Sequence, residues 1–184
     1  MDYPARLQEL GCEPPSEPPD RDIDSIEAAI GVPLPSSYRR FLDECGGWNR
    51  DILCPSQEPT PFGEHVITGF NDAAEVRGLL DSTITPRNMV TIGYGHFGLY
   101  TCLSIAGIDR GSVYALDSNY RVFWSDEEFH LRFRALADSI REYLEHRRNN
   151  ALPEKPAGYE SIYLLAEDFD EFLTRCLPCP DDDD

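Results

Sequence analysis

The stretch DIDSIEAAIGVPLPSSYRRFLDECGG, at residues 22–47, predicts two short helices in succession. Its first half carries isoleucines at helical spacing: Ile23, Ile26 and Ile30. Gly31 follows as the stop signal of this first helix. Asp22 or Asp24 is the expected N-cap, because a short carboxylate accepts hydrogen bonds from the free N–H groups of a first helical turn.

The second half of the stretch repeats the helical pattern after a Val-Pro-Leu-Pro connector. An apolar stripe at spacing i, i+3, i+4, i+7 consists of Tyr38, Phe41, Leu42 and Cys45. Ser36 is the expected cap of this second helix. Gly46-Gly47 is expected to end it, because glycine adopts the left-handed backbone of a C-cap without strain.

Further along the chain the apolar period changes from helical to alternating. Trp48–Glu64 contains three prolines, so we expect an irregular segment there, followed by a strand over His65–Phe70. Asn71 or Asp72 is the expected cap of a short helix that runs to Leu80. Segments rich in β-branched and aromatic residues then predict four strands: Met89–Ile92, Tyr100–Ile105, Ser112–Leu116 and Tyr120–Trp124.

A longer helix is expected after the last of these strands. Its apolar face consists of Phe129, Phe133, Leu136, Ile140, Tyr143 and Leu144. It begins either at Asp126, where Ser125–Glu128 has the spacing of a capping box, or nearer Ala135. Tyr159–Leu165 then predicts another strand, and Glu167–Cys176 predicts a short helix.

These elements predict three parts of the chain. Residues 1–21 form an extended leader, since Glu13–Asp20 holds four prolines. Residues 22–148 form the folded domain. Residues 149–184 form an extension with a short strand and a helix, and it ends in Asp181–Asp184, which is expected to be disordered because its charges repel one another. Consecutive strands with short turns favour an α+β fold with two N-terminal helices, a central, mainly antiparallel sheet of roughly 4–6 strands, and a packing helix.

The helix pair resembles the opening of the Smi1/Knr4 (SUKH) superfamily. The matching residues are Ile26-Glu27, Ile30-Gly31, Leu34-Pro35, Tyr38-Arg39, Phe41-Leu42 and Gly46-Gly47. Later stretches are similar to the family in the same order: Ile92-Gly93 to Gly98 with Tyr100, Gly111–Asp117, and Ala137–Ile140 with Tyr143-Leu144. The resemblance spans Asp22 to Glu145 and covers most of the predicted domain.

The resemblance implies an α+β fold without known catalytic residues, so we expect no enzyme activity, no cofactor and no metal. Bacterial members of this family are typically immunity proteins, which bind the toxic domain, often a nuclease, of polymorphic or contact-dependent toxins. The expected function is therefore neutralisation of a cognate, basic toxin by stoichiometric binding. Eukaryotic and viral relatives are interaction or regulatory modules, so a regulatory scaffold without a toxin partner is the alternative.

Composition sets the class of partner and the expected compartment. The 184 residues carry a formal net charge of −18, which disfavours direct binding to nucleic acid or anionic lipid, because attraction to phosphate needs clustered Lys and Arg. No apolar run approaches the roughly 20 residues of a membrane helix, and the first residues lack the basic and apolar regions of a signal peptide. Six cysteines in a chain of this size are expected to be thiols, which together predicts a cytoplasmic protein.

Two motifs permit other functions. Gly93–Gly98 matches G-x-G-x-x-G, but a dinucleotide site needs a helix directly after the glycines, and Tyr100–Ile105 has the pattern of a strand. A turn between strands is therefore the favoured interpretation of this loop. Cys176 and Cys179 have the spacing of metal ligands, but a closed zinc site needs four ligands and no second such pair occurs in the sequence.

The acidic excess is the feature that points to binding. A negative surface that enters the basic cleft of a nuclease speeds encounter and fixes partner choice. The candidate contact residues are acids on loops near the second helix and the strand corners: Asp43, Glu44, Asp51, Asp72, Glu75, Asp109 and Asp117. Trp48 and Trp124 are candidate aromatic anchors, because Trp concentrates binding energy at interfaces, although either can equally belong to the core.

Overall fold

The structure is a computed structural model that describes residues 1–82, 84–120, 138–149, 154–156 and 159–180. Within these ranges the α-helices are α1 (Tyr3–Glu9), α2 (Ile23–Ile30), α3 (Ser36–Cys45), α4 (Ala73–Gly78), α5 (Asp138–Arg148) and α6 (Phe169–Arg175). The strands are β1 (Asn49–Cys54), β2 (His65–Phe70), β3 (Met89–Gly95), β4 (Leu99–Ser104), β5 (Val113–Asp117), β6 (Ile162–Ala166) and β7 (Leu177–Pro178).

The strands form one antiparallel sheet in the order β6-β5-β4-β3-β2-β1-β7. Neighbours from β1 to β6 are consecutive in the chain, with α4 between β2 and β3 and α5 between β5 and β6, and only β7 returns from the end of the chain to join β1. The α+β class with an antiparallel sheet is confirmed. The described sheet has seven strands, more than the sequence predicts.

The helix pair forms as its apolar pattern predicts. The Asp22 side chain accepts a hydrogen bond from the Ser25 backbone N–H, which caps α2, and Gly31 ends that helix with φ 72°. The predicted cap of α3 is wrong, because Ser36 already lies in the first turn and Pro35 is the capping residue, without a side-chain hydrogen bond. The apolar stripe of α3 is completely buried.

Two expectations of irregular structure are wrong. Residues 3–9 of the predicted extended leader form α1, which buries Tyr3 and Leu7, and its C-cap Leu10 is buried at the same helical spacing. So short a helix is stabilised mainly by packing against the rest of the protein, which local sequence does not reveal. Residues 49–54 of the segment predicted to be irregular form β1, because its prolines stand only after Cys54.

The remaining elements agree with their predicted positions. Strand β2 has the predicted bounds, and β3 to β5 lie within a few residues of theirs. Strand β6 and helix α6 confirm the strand and the helix predicted near the end of the chain. The predicted Tyr120–Trp124 strand, the Ser125–Glu128 capping box, the first half of the long helix and the Asp181–Asp184 tail lie outside the described residues, apart from Tyr120, which ends a short 3-10 turn.

The central part of the sheet is buried on both faces. Along β5, Val113 and Ala115 point into a large core beneath α1 to α4 and α6, while Tyr114 and Leu116 point into a smaller core beneath α5. This alternation follows from the two-residue period of a strand. Helix α5 is thus the predicted packing helix, and it lies on the opposite face from the helix pair.

The two ends of the chain meet in the larger core. Tyr3 of α1 contacts Phe41 of α3 and Phe169 of α6, with ring centroids 5.5 and 6.3 Å apart respectively. The Arg6 guanidinium donates to the backbone carbonyl oxygens of Leu173, Thr174 and Cys176 at the C-terminal end of α6. We call α1, α6 and the part of α3 between them the terminal junction. It ties the beginning and the end of the chain to the central sheet.

Candidate protein-binding surface

Two side chains of the β3 hairpin reach across β2 to touch β1. The Tyr94 hydroxyl donates to Asn49 Oδ1 at 3.2 Å. His96 Nε2 lies 3.0 Å from Asp51 Oδ2. Since β2 separates β1 from β3 in the sheet, both contacts cross β2. They bring Asp51, one of the predicted acidic residues, beside the loop that follows β3.

Gly69 makes the Tyr94 contact possible. It lies on β2 directly under the crossing, and a Cβ added there would stand 2.7 Å from Tyr94 Oη. Real Cβ atoms do not approach that closely, so a larger residue would displace the tyrosine ring. Glycine at this position lets the ring lie across the strand.

Acidic side chains from separate parts of the chain converge around Tyr94. Glu17, Asp72 and Glu75 line a recess of about 290 Å³ together with Tyr94 and Asn49. Burial, and then the negative charge of Glu75, raise the pKa of the Tyr94 hydroxyl, as expected for a ring partly enclosed by carboxylates. We call Glu17, Asp51, Asp72 and Glu75 the acidic surface.

Two of these acids also hold the backbone of α4. Asp72 Oδ1 accepts from the Glu75 N–H at 3.0 Å, and Glu75 Oε2 accepts from the Asp72 N–H at 2.9 Å. This reciprocal capping box confirms Asp72 as the predicted cap of α4. Asp72 Oδ2 also accepts from the Asp20 N–H at 3.1 Å, which fixes the proline-rich segment beside α4. These hydrogen bonds therefore fix the positions of the Asp72 and Glu75 carboxylates.

Asp43 and Glu44 lie beyond the proline-rich segment, toward the N-terminus. Glu44 shares a shallow recess with Pro15–Pro19 and Arg21, and its carboxylate lies 3.8 Å from the Arg40 guanidinium. The arginines offset part of the negative charge there. Of the two alternatives open for Trp48, the core position is the one observed, because only 7% of it is exposed and it packs in the larger core; it is therefore not an exposed anchor.

Asp109 and Asp117 lie apart from the acidic surface. Asp109 accepts from the Tyr114 hydroxyl at 2.8 Å beside a pocket of about 330 Å³, whose three arginines make its surroundings positive: Arg110, Arg147 and Arg148. Burial raises the pKa of the Asp109 carboxyl. Asp117 is 4% exposed and accepts from the backbone and side-chain N–H groups of Asn119. Asp109 and Asp117, both predicted contact residues, therefore make hydrogen bonds within the protein.

The loop between β3 and β4 adds exposed aromatic residues to the candidate surface, which the selection of acidic side chains did not include. Residues His96–Gly98, here called the hairpin tip, form one 3-10 turn. Phe97 at its centre is 91% exposed, and Tyr94 just before it is 39% exposed. Aromatic side chains are enriched at protein interfaces. The sequence signal for Phe97 was an aromatic residue between Gly95 and Gly98, in a predicted turn and therefore outside the buried positions of a strand.

The other candidate chemistries gain no support from the geometry. Strand β4 follows Gly98 directly, which confirms a turn between strands in place of the strand–loop–helix of a dinucleotide site. Across the described ranges, no group of three or more Cys, His, Asp or Glu side chains is placed to hold a metal ion. Cys176 is buried and Cys179 is half-buried.

No helix in the described part of the chain combines the length and the apolar character needed to cross a membrane.

Residues 17–146 match the family model described as SMI1/KNR4 family (SUKH-1). The match covers α2 to α4, most of α5 and β1 to β5, and it includes every residue of the acidic surface. Helix α1 precedes it, and β6, α6 and β7 follow it. A search of curated proteins finds no match.

Proposed function

The chain belongs to the SMI1/KNR4 family (SUKH-1), and on this premise we propose that it is an immunity protein that neutralises a cognate toxin by stoichiometric binding. The family is known for immunity proteins and is generally non-catalytic. The proposed protein therefore acts by occupying its target, without turnover and without a cofactor. The expected target is a basic toxin domain, such as a nuclease, in the cytoplasm.

The observation that carries the proposal is the convergence of acids around Tyr94. Glu17 comes from the proline-rich segment, Asp72 and Glu75 come from the cap and first turn of α4, and Asp51, which contacts His96 two residues beyond Tyr94, comes from β1. Arg77 pairs with Asp22 at 3.3 Å, Arg50 lies against Gly11, and His96 contacts Asp51. The surface therefore presents negative charge together with an aromatic ring.

Such a surface suits a cleft that normally holds phosphate. Carboxylates in the place of phosphates meet the same Lys and Arg side chains, which would block access of nucleic acid. Charge of this kind speeds diffusional encounter and excludes acidic competitors more than it adds affinity. The formal net charge of −18 extends the same attraction beyond the contact surface.

Co-expression with the toxin encoded next to this gene tests the proposal. The immunity protein should restore growth, and the two proteins should co-purify at a 1:1 ratio. A chain that folds but fails to rescue growth would contradict the proposal. Recovery of signalling proteins in place of a toxin would favour the regulatory scaffold.

Charge variants locate the surface. The triple variant Glu17→Gln, Asp51→Asn, Glu75→Gln removes three charges, and Gln retains the capping interaction at position 75. Its matched control, Glu142→Gln, Glu145→Gln, Glu154→Gln, removes three exposed charges near α5. We expect the first variant to slow association roughly 3- to 10-fold at low salt and the control to have a smaller effect, because local charge dominates encounter. Equal effects would place the binding surface elsewhere.

A further inference from the structure

Phe97 is exposed where folding alone would not place a phenylalanine. It is 91% exposed, whereas Phe41, Phe70 and Phe169 are each at most 2% exposed. Its ring contacts the His96 ring with centroids 5.9 Å apart, and His96 in turn contacts Asp51. The side chain therefore stands at the edge of the acidic surface and contributes little to the core.

The backbone of Phe97 is also strained. Its φ of 56° and ψ of 35° lie in the left-handed region, which disfavours side chains that carry a Cβ. Every other positive φ among the described residues belongs to a glycine. Glycine or asparagine would adopt this conformation at lower cost, so folding stability does not explain the phenylalanine.

The surrounding structure holds this strained conformation in place. The Asn119 side-chain amide donates to the Phe97 carbonyl oxygen, and the Ser118 hydroxyl donates to the Gly98 carbonyl oxygen at 2.8 Å. Asp117 in turn accepts from Asn119 and fixes the orientation of its amide. The ring is thus presented by a backbone that is already ordered, which lowers the entropy lost on binding.

We infer that Phe97 is the apolar anchor of the proposed complex and inserts into an apolar recess of the basic partner. The inference rests on the proposed function and names the contact that the charges alone do not supply. The charge complementarity of the surroundings selects the occupant: Lys or Arg on the rim of the recess would meet Asp51 while the ring fills its centre. Persistent strain at an exposed site is typical of positions kept for function. Side chains that fill a well-packed, desolvated pocket on the partner are the ones that carry most of the binding energy at an interface.

The test measures binding and folding of the same variants. The binding probe is the purified toxin domain encoded next to this gene, with its activity inactivated. Phe97→Asn keeps the left-handed backbone and removes the ring, Phe97→Tyr keeps a ring, and Ile108→Ser is the control at an exposed apolar residue between β4 and β5. We expect Phe97→Asn to weaken binding roughly 30-fold or more, as for interface hot spots, and Phe97→Tyr and Ile108→Ser to bind within about threefold of wild type.

Urea unfolding supplies the readout that needs no partner. Phe97→Asn should unfold at a urea midpoint at or above that of wild type, because strain is relieved and no core contact is lost. A clearly lower midpoint would show that Phe97 serves the fold and would overturn the inference. If the wild-type protein binds the toxin domain and Phe97→Asn binds it equally well, the inference is overturned but the proposed function stands. No binding by wild type would overturn both.

Discussion

The terminal junction and the acidic surface use aromatic side chains in opposite ways. In the junction, Tyr3, Phe41 and Phe169 are fully buried and contact one another. At the acidic surface, Tyr94 and Phe97 are exposed; Tyr94 lines a recess with carboxylates, and Phe97 contacts the His96 ring. The difference separates the stability of the fold from the binding of a partner. Changes in the junction should affect folding, and changes at the acidic surface should affect binding while the fold is retained.

The largest effect is expected at the centre of the terminal junction. The Phe169 ring lies 4.7 Å from that of Phe41 and 5.1 Å from that of Tyr38, between centroids. Phe169→Ala should lower the free energy of unfolding by about 3–5 kcal/mol, because it leaves a cavity in a packed core. Equilibrium urea unfolding measures this, with Phe169→Leu as a variant that should lose less. A loss under about 1 kcal/mol would show that the junction does not stabilise the fold.

The next effect is a dependence of stability on pH through His65. Burial lowers the pKa of this histidine to about 4 in the folded protein, against a usual value of 6.5. The unfolded chain therefore binds a proton first as pH falls, so stability that is present above pH 6.5 is lost toward pH 4. The loss attributable to His65 is about 3 kcal/mol.

The pH prediction is checked by urea unfolding across this window. His65→Gln should show a shallower fall in stability below pH 6.5 than wild type, whatever its stability at neutral pH. His146→Gln, at an exposed position on α5, is the control. Identical slopes for wild type and His65→Gln would contradict the burial of a neutral histidine.

A smaller effect is expected from Arg6, which joins α1 to the end of α6. Arg6→Met removes three hydrogen bonds to carbonyl oxygens that α6 leaves unpaired at its C-terminal end. We expect a loss of about 2 kcal/mol in urea unfolding. The exposed ion pair of Arg141 with Asp138 provides the control, since Arg141→Met should cost less than about 0.5 kcal/mol. Equal losses would argue against a specific role for Arg6.

The smallest change in stability is expected at the acidic surface. The triple variant Glu17→Gln, Asp51→Asn, Glu75→Gln should unfold within about 0.5 kcal/mol of wild type, because surface substitutions that preserve a cap have small effects. Thermal or urea unfolding provides the measurement. A large loss of stability would show that the acidic surface also stabilises the fold, which would contradict the separation of the two regions.

The helix pair, most strands and the fold class could be predicted because they depend on local periodicity. The spacing of Ile23, Ile26 and Ile30 predicts the buried face of α2, and the cap of α4 can be predicted from Asp72 and Glu75. Helix α1 could not be predicted, because seven residues gain their stability from contacts with α3 and α6, far away in the sequence.

The candidate surface was predictable only in part. Asp51, Asp72 and Glu75 were selected by charge and loop position; the fold places Asp72 and Glu75 in one recess with Tyr94, and Asp51 against His96. The same criterion selected Asp109 and Asp117, which serve internal hydrogen bonds. Phe97 was missed because its importance depends on exposure and a left-handed backbone, and neither is visible in a residue count.

The association rate constant with the toxin domain, measured by stopped-flow fluorescence at increasing salt, tests the central claim most directly. Between about 0.01 M and about 0.3 M salt the wild-type rate should fall at least tenfold, because screening weakens long-range attraction. The Glu17→Gln, Asp51→Asn, Glu75→Gln variant should start lower and show a flatter dependence. A rate that does not change with salt, or a variant with the wild-type slope, would contradict binding through the acidic surface.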